Sequence, residues 1–222
     1  MSAMMHVIWA GNRHEYEAVI ETHFFLRHTI FVDERGWKTL ARPDLREIDA
    51  YDNDDSVYLL AIDGAQIVGG IRLYPTLKPT MMSEVFPHLA DVRGVPRDAE
   101  VWEWSRLFVV KERRDTRLMY DIMAAVQQLC LEEGITHVSG VMETWWLPNF
   151  QEMGFVVQPL GLPGLVENAW TMAAKIVISW DSLQSVKSMT SDRNIRLVRR
   201  GPRDSFVHRA IAEHRATASQ AA

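Results

Sequence analysis

The chain has 222 residues, 47% of them hydrophobic and 24% charged, a composition typical of a soluble globular protein that buries a large core. Its formal net charge of −5 disfavours nucleic acid as a partner, because binding phosphates needs a concentrated basic face. The single cysteine, Cys130, excludes an intramolecular disulfide and a cysteine-based metal cluster. No apolar run approaches the ~20 residues of a membrane span. We therefore expect a cytoplasmic protein with no metal site, no nucleic-acid partner and no membrane partner.

The first 110 residues predict a strand, a helix, a hairpin of two strands, a short helix and a further strand. In chain order these elements are residues 6–9, 13–29, 57–62, 66–73, 83–89 and 101–110. Asn12 can cap the first helix, and Asp63-Gly64 is a strong hairpin signal. Residues 32–56 lack clean periodicity, and such a long irregular segment in a compact domain is usually functional or disordered.

The second half predicts a long helix, a strand, a short helix and two more strands. These elements are residues 115–133, 135–142, 147–153, 155–158 and 169–178. A long helix between two strands implies parallel pairing, whereas the hairpin implies antiparallel pairing. We therefore expect an α/β (α+β) fold with a mixed sheet flanked by helices. A single domain is expected over residues 1–222, with a loosely ordered tail over about 200–222.

The predicted strand at residues 101–110 carries two charged side chains among aromatic and β-branched residues. Burying a charge is costly unless it is paired, hydrogen-bonded or shifted in pKa. Glu103 and Arg106 are therefore either a structural ion pair or a catalytic base with an organising cation. Residues three apart in a regular strand point to opposite faces, so both line one cleft only if a β-bulge falls between them.

Two other charged groups are candidates for a site. The segment from Glu47 to Asp52 holds three carboxylates and the phenol of Tyr51, and its alternative is a solvated acidic loop. Arg72 follows Gly69-Gly70 inside a predicted strand, where paired glycines suggest a bulge or the close approach of a chain or ligand. The sequence contains no phosphate-cradling glycine loop, serine nucleophile elbow or zinc motif.

In order and spacing, these residues resemble the signature of LuxI-type acyl-homoserine-lactone synthases, over about residues 7–178. The matching residues are Arg27, Phe31, Trp37, Glu47, Asp49, Asp52, Arg72, Leu73, Pro75, Thr76, Glu103, Ser105 and Arg106. The resemblance implies a fold similar to GCN5-related acyltransferases. It also implies that an acyl thioester acylates the amine of S-adenosylmethionine, whose carboxylate then closes a lactone and expels methylthioadenosine. Both molecules are substrates in this reaction, so no cofactor is expected.

The resemblance also implies roles for the matching residues. A protonated amine must lose a proton before it attacks, and a positioned carboxylate can accept that proton directly or through a water. The implied base is Glu103, the implied organisers of the cationic substrate are Asp49 and Asp52, and Arg72 and Arg106 hold the carboxylates in place. The residues expected to bind S-adenosylmethionine are Arg27, Phe31, Trp37 and Asp49.

The acyl pocket of this family lies between the strand beginning near Val101 and the strand ending near Met142. The residues expected to line it are Trp104, Met142, Thr144, Trp145 and Trp146. Bulky side chains there would shorten the pocket, although plain core packing is an equal alternative. Residues 81–87 and 143–148 look most like a minority branch that takes acyl groups from coenzyme A. A short branched acyl-CoA such as isovaleryl-CoA is therefore favoured, followed by an aryl-CoA.

The sequence leaves two acyl carriers and more than one reaction class open. GCN5-related acyltransferases carry a glycine-containing pyrophosphate loop after this strand, whereas residues 111–117 contain no glycine. Arg113, Arg114 and Arg117 are therefore candidates for binding phosphates by charge alone, and an acyl carrier protein would use the same basic surface. The alternative functions are another GCN5-like N-acyltransferase acting on a different amine and a catalytically silent ligand-binding domain.

Overall fold

The computed structural model describes residues 3–191, 194–202 and 204–220. Within these residues, nine strands form one mixed sheet, in the order β6-β8-β5-β4-β3-β2-β1-β9, with β7 also paired to β8. The strands are β1 Met4–Ile8, β2 Val57–Asp63, β3 Gln66–Pro75, β4 Val101–Val109, β5 His137–Glu143, β6 Val157–Pro159, β7 Gly164–Val166, β8 Ala169–Val177 and β9 Leu197–Val198. The predicted mixed sheet is confirmed.

The strand pairs of the sheet are antiparallel except for β4–β5 and β1–β9, which are parallel. The strands β2 and β3 form the predicted hairpin, whose turn contains Gly64 at φ 62°, a conformation that favours glycine. Of the two parallel pairs, β4 and β5 are connected by α3. The expected crossover is therefore present between these two strands.

Six α-helices cover the two faces of the sheet in the described residues. They are α1 Glu17–Arg27, α2 Met81–Glu84, α3 Leu118–Glu133, α4 Trp146–Glu152, α5 Trp180–Lys187 and α6 Phe206–Gln220. The larger core cluster includes residues of α3, α5 and α6, and a smaller one lies beneath α1. The helix expected at 13–29 is divided into a 3₁₀ turn, α1 and a π-helical turn at His28–Glu34. None of the helices in the described part of the chain is long and apolar enough to cross a membrane.

The end of the chain differs from the loosely ordered tail expected from the sequence. Residues 206–220 form α6, whose Phe206 and Val207 are buried in the larger core. The ring of Phe206 packs edge-on against that of Trp102, with 5.1 Å between the ring centroids. Apolar residues on one face of α6 give this helix a place on the sheet, a periodicity that the Ala- and Ser-rich composition obscured.

A fork opens in the sheet where β4 and β5 stop pairing. Their parallel register covers only three rungs, and its last rung pairs Glu103 with Ser139. Both strands continue past this rung, to Val109 and Glu143 respectively. Gly140 follows immediately in β5, where a Cβ atom would lie 2.2 Å from the Trp104 indole. Trp104 therefore fills the fork at the point where the two strands separate, and beyond this point β4 and β5 are not paired.

Candidate active site

Three arginines and three carboxylates form a closed ring of ion pairs on the face of the sheet that α1 covers. In order around the ring, the members are Arg27, Glu47, Arg106, Asp49, Arg72 and Asp52. Each arginine binds both of its neighbours, with N–O distances of 2.5–3.0 Å in six of these contacts. Arginines and carboxylates alternate around the ring, so each charge lies between two opposite charges and the formal charges cancel. Buried charges are stable in a protein only when they are paired in this way.

Four separate parts of the chain supply this ring. Arg27 ends α1, Arg72 lies on β3, Arg106 lies on β4, and the carboxylates come from residues 47–52. Within that acidic segment, the side chain of Asp52 accepts a hydrogen bond from the Asp49 N–H at 2.9 Å. The side chains of Asp52 and Glu47 are 0% and 1% exposed. The segment is therefore part of a buried network, and the alternative of a solvated loop is wrong.

The electrostatics of the ring favour the ionised forms of Glu47 and Asp52. Burial raises the pKa of Glu47, but the charges of Arg27 and Arg106 outweigh burial and bring that pKa below its ordinary value. Burial likewise raises the pKa of Asp52, and the charges of Arg27 and Arg72 bring it far below the usual range. In both cases the charged partners stabilise the ionised form more than desolvation destabilises it.

A β-bulge in β4 decides where Arg106 points. The register between β3 and β4 shifts between Gly70 and Arg72. At this shift one residue of β3, Ile71, lies opposite two of β4, Arg106 and Leu107. Arg106 lies in this irregularity with φ at 55°, an unusual conformation for a residue with a side chain. The bulge places the Arg106 guanidinium on Glu47 and Asp49, on the same face as Arg72. Glu103 and Arg106 therefore lie on the same face of the sheet, because a β-bulge falls between them as that arrangement requires.

Glu103 does not pair with Arg106, so the interpretation of these residues as a structural ion pair is wrong. Its side chain is 4% exposed, and one carboxylate oxygen accepts a hydrogen bond from the Met82 N–H at 3.0 Å. Burial raises the pKa of Glu103, against the opposing effects of hydrogen bonds from Thr80 and Met82 and of the Arg72 charge. A buried carboxylate with a raised pKa, outside the ion-pair ring, is suited to accept a proton.

Aromatic rings and cations lie next to the ring of ion pairs. Phe31 and Trp37 stack with 5.3 Å between centroids and an interplanar angle of 11°. The guanidinium of Arg106 lies 5.7 Å from the Phe31 centroid, and that of Arg35 lies 5.5 Å from the Trp37 centroid. Phe31 is buried and Trp37 is half-buried. The pair therefore offers an aromatic wall on which a cationic or planar group can stack.

Arg27 lies behind the carboxylates and not at an open surface. Its side chain is fully buried, and Glu47 and Asp52 bind its guanidinium. Burial lowers the pKa of Arg27, but the charges of Asp52 and Glu47 raise it above its ordinary value. A direct contact with substrate, as expected from the resemblance, does not agree with this position.

A cavity of about 330 Å³ opens beside the C-terminal half of β4. Its apolar lining comes from β4, α3, α4 and the π-helical turn, and includes Ile30, Leu107, Phe108, Met119, Trp146 and Met153. Arg35 and Arg114 line it as well. A partly open, largely apolar cavity with two cations fits a ligand that has both an apolar and an anionic part.

The five residues predicted for the acyl pocket divide into two groups. Trp145 and Trp146 line the cavity and stack on each other with 4.6 Å between centroids. Trp104, Met142 and Thr144 are not among its lining residues. Trp104 packs against Phe150, which also stacks on Trp146, with 5.6 Å between the ring centroids in each case. The half-buried Thr144 donates its N–H to the Trp170 carbonyl at 2.8 Å.

The predicted phosphate-binding arginines also divide. Arg114 lines the cavity, where it pairs with Glu34. Arg113 pairs with Asp63, and Arg117 donates to the Met189 carbonyl at 3.3 Å, so both point elsewhere.

Three residues of the site were absent from the residues assigned a role from the sequence. Glu47 closes the ring, Ser105 accepts a hydrogen bond from Arg72 Nε at 3.0 Å, and Arg35 lines the cavity. Glu47 and Ser105 belong to the matching signature, which was the available signal for both. Arg35 gave no signal beyond its position two residues before Trp37.

Comparison with known proteins identifies relatives over most of the chain. Residues 12–174 match the family described as autoinducer synthase. The isovaleryl-homoserine lactone synthase of Bradyrhizobium diazoefficiens is 60% identical over 207 residues, which cover 93% of this chain and 94% of that protein.

Solved structures give the same relationship. The CoA-dependent acyl-homoserine lactone synthase BjaI, solved with SAM and isopentyl-CoA, has a TM-score of 0.92 and 60% identity, and the match covers 95% of this chain and 99% of that one. A Lactobacillus plantarum protein described as an N-acetyltransferase has a TM-score of 0.52 at 20% identity, covering 79% of this chain and 99% of that one. The second likeness is one of fold alone, and it confirms the predicted similarity to acyltransferases of this architecture.

Proposed function

This chain belongs to the autoinducer synthase family, and we propose that it makes isovaleryl-homoserine lactone from S-adenosylmethionine and isovaleryl-CoA. It is thus an acyltransferase of the acyl-homoserine-lactone synthase class, with small molecules as substrates. The observation that carries the proposal is the 60% identity over 207 residues to an isovaleryl-homoserine lactone synthase. Arg35 and Arg114 in the cavity can meet the phosphates of coenzyme A. Coenzyme A is favoured over a carrier protein because the similar synthase BjaI is described as CoA-dependent and was solved with isopentyl-CoA.

Glu103 is the base in the proposed mechanism. The amine of S-adenosylmethionine arrives protonated near neutral pH and gives up one proton before its lone pair can attack. Because burial raises the pKa of Glu103, its conjugate acid is stabilised relative to an exposed carboxyl group. This raises the affinity of the carboxylate for the substrate proton.

The fork in the sheet supplies the electrophilic part of the site. Beyond the Glu103–Ser139 rung, β4 has no partner in β5, so main-chain N–H groups on that side are free to bind a ligand. Such donors can stabilise the oxyanion that forms when the amine attacks the thioester carbonyl. The C–S bond then breaks, and the coenzyme A thiolate leaves and takes up the second proton, which the attacking nitrogen loses as it becomes an amide.

The ion-pair ring holds the cationic substrate through its most exposed carboxylate. The Asp49 side chain is 18% exposed, whereas those of Glu47 and Asp52 are 1% and 0% exposed. Asp49 is therefore the member that faces S-adenosylmethionine. Asp52 and Arg27 act indirectly, because they fix the position of Asp49 through Arg72. Phe31 and Trp37 provide the aromatic wall for the adenine and the sulfonium.

Lactone formation follows from orientation. The substrate carboxylate attacks the carbon attached to the sulfonium, the C–S bond breaks, and methylthioadenosine leaves with the bonding electrons. The sulfonium is a good leaving group, so holding the two groups in reach supplies most of what this step needs.

The proposal is tested by incubating the purified protein with S-adenosylmethionine and a panel of acyl-CoAs while following thiol and methylthioadenosine release. We expect stoichiometric release of both products, fastest with isovaleryl-CoA. Thiol release without methylthioadenosine would show an N-acyltransferase that acts on another amine. Release of neither product with any donor would show a silent binding domain.

Replacing Trp146 by alanine is expected to widen the range of acyl donors. Trp146 lines the cavity and stacks on Phe150, so its loss lengthens the space for the acyl chain. We expect the kcat/KM of octanoyl-CoA relative to isovaleryl-CoA to rise by about 10-fold, in line with the usual selectivity of an apolar pocket. The matched control is Met142→Ala, which shortens a core side chain outside the cavity lining and should leave donor preference unchanged. Equal changes in both variants would show that Trp146 does not limit acyl length.

A further inference from the structure

Ser139 has a buried hydroxyl that no atom of the described residues satisfies. The residue is 1% exposed, and within residues 3–191, 194–202 and 204–220 its Oγ has no hydrogen-bond partner. Buried polar groups in native proteins almost always have a partner, so this hydroxyl needs one from outside the chain. Ordered water is the usual partner of such a group.

The sheet register places this hydroxyl beside Glu103. Ser139 and Glu103 are partners in the last parallel rung between β4 and β5. Partners in a rung present their side chains on the same face of the sheet, about 5 Å apart at the backbone. The two side chains therefore lie on either side of the point where β4 and β5 separate, which we call the apex of the fork. They are on the face of the sheet that carries the ion-pair ring.

The surroundings leave Glu103 with unused capacity to accept hydrogen bonds. A carboxylate can accept about four. Three of these come from the Thr80 side chain and from the main-chain N–H groups of Met81 and Met82, the last at 3.0 Å, so about one position remains. Apolar residues of a third core cluster, including Met82, Leu89 and Ala173, cover this region and keep it from bulk solvent.

We propose that the Ser139 hydroxyl and the Glu103 carboxylate together bind one water at the apex of the fork, and that this water carries the substrate proton to Glu103. This inference rests on the proposed function. The ammonium of S-adenosylmethionine transfers one proton to the water oxygen while the water transfers one of its own protons to Glu103. The water is unchanged, Glu103 becomes neutral, and Ser139 keeps its proton throughout. Ser139 is thus a positioning residue that acts through the water.

Titratable groups around this rung come from several elements. They are Arg72 and Tyr74 on β3, Lys175 on β8, Tyr51 in the acidic segment and Glu84 on α2. Lys175 is the register partner of Ser139 on the side away from Glu103. None of these groups changes in a Ser139 variant, so a difference in pH profile between that variant and the parent enzyme reports on the water.

The test compares Ser139→Ala and Ser139→Cys with the parent enzyme in steady-state assays with S-adenosylmethionine and isovaleryl-CoA. We expect both variants to lower kcat about 10-fold or more at neutral pH, at the lower edge of proton-transfer effects, with KM changed less than about 2-fold. The loss should shrink as pH rises towards the pKa of the substrate amine, because the substrate then arrives deprotonated. Melting temperatures should change little for Ser139→Ala, since no protein group loses a hydrogen-bond partner.

The matched control is Ser182→Ala, which removes another buried hydroxyl, one that donates to the Gly154 carbonyl at 3.1 Å far from the fork. It should lower the melting temperature and leave the pH profile unchanged. Parent-like kcat in Ser139→Ala or in Ser139→Cys, or a loss that is constant with pH, would overturn the inference while the proposed function stands. A parent enzyme that releases no methylthioadenosine would overturn the proposed function itself.

Discussion

Replacing Glu103 by glutamine is expected to lower kcat by about 10²- to 10⁴-fold, the range in which a general base contributes to catalysis. Glutamine has nearly the same shape, and its carbonyl oxygen can still accept the Met82 N–H hydrogen bond. Because burial raises the pKa of Glu103, the fold favours a neutral side chain at this position, so the free energy of unfolding should not decrease. Initial rates of thiol and methylthioadenosine release, with a denaturant unfolding curve, measure both effects.

The pH dependence of the parent enzyme gives a second readout of the same residue. Glu103 acts as a base only when ionised, and its pKa is raised above the ordinary value of about 4.3. Activity should therefore fall as pH falls through that raised pKa, and this acid limb should be absent in Glu103→Gln. The control is Glu100→Gln, an exposed glutamate just before β4, which should match the parent enzyme. Near-normal turnover in Glu103→Gln would show that another group removes the proton.

Replacing Arg27 by methionine is expected to lower the free energy of unfolding by about 3–5 kcal/mol, the usual cost of leaving buried charges without their partner. Glu47 and Asp52 would both lose their contacts with this side chain inside a fully buried site. The matched control is Arg46→Met, because Arg46 is partly exposed and pairs with Asp44 and Glu21 at the surface. That change should lower the free energy of unfolding much less, because ion pairs at the surface contribute little to stability. Urea unfolding of both variants at neutral pH measures the difference, and equal losses would contradict a stabilising role of the ring.

The ring also predicts how stability changes with pH. The pKa values of Glu47 and Asp52 are lower in the folded protein than in the unfolded chain, where carboxyl groups titrate near pH 4. Their contribution is therefore fully present above that range and is lost as pH falls below it, because the unfolded chain then binds more protons. The unfolding free energy of the parent protein should decline steeply below about pH 5, and the decline should be shallower in Arg27→Met.

Seven of the nine described strands and their mixed pairing could be predicted because local patterns specify them, whereas the short strands β7 and β9 were not predicted. Alternating and apolar runs mark the strands, Asp63-Gly64 marks the hairpin, and Gly134 ends α3 with φ at 76°. The helix α6 could not be predicted with the same ease, since its place depends on contacts of Phe206 with the distant Trp102. The π-helical turn after α1 has no signal in the periodicity either.

The residues of the site could be predicted from their types and order, whereas their partners could not. Nothing local to Glu103 and Arg106 indicates that the first binds the main chain of α2 and the second binds Glu47 and Asp49. That division follows from the left-handed conformation of Arg106 at the bulge, which depends on pairing with β3. Similarly, the adjacency of Trp145 and Trp146 indicated an aromatic wall, but the exclusion of Trp104 depends on its packing against Gly140 in the fork.

The most direct test of the proposed function is a donor competition. The purified protein is incubated with S-adenosylmethionine and an equimolar mixture of isovaleryl-, hexanoyl-, octanoyl- and cinnamoyl-CoA, and the lactones formed are quantified by mass spectrometry. We predict that isovaleryl-homoserine lactone is the main product and that methylthioadenosine forms in equal amount. A straight-chain or aryl lactone as the main product, or acylation without methylthioadenosine, would contradict the proposal.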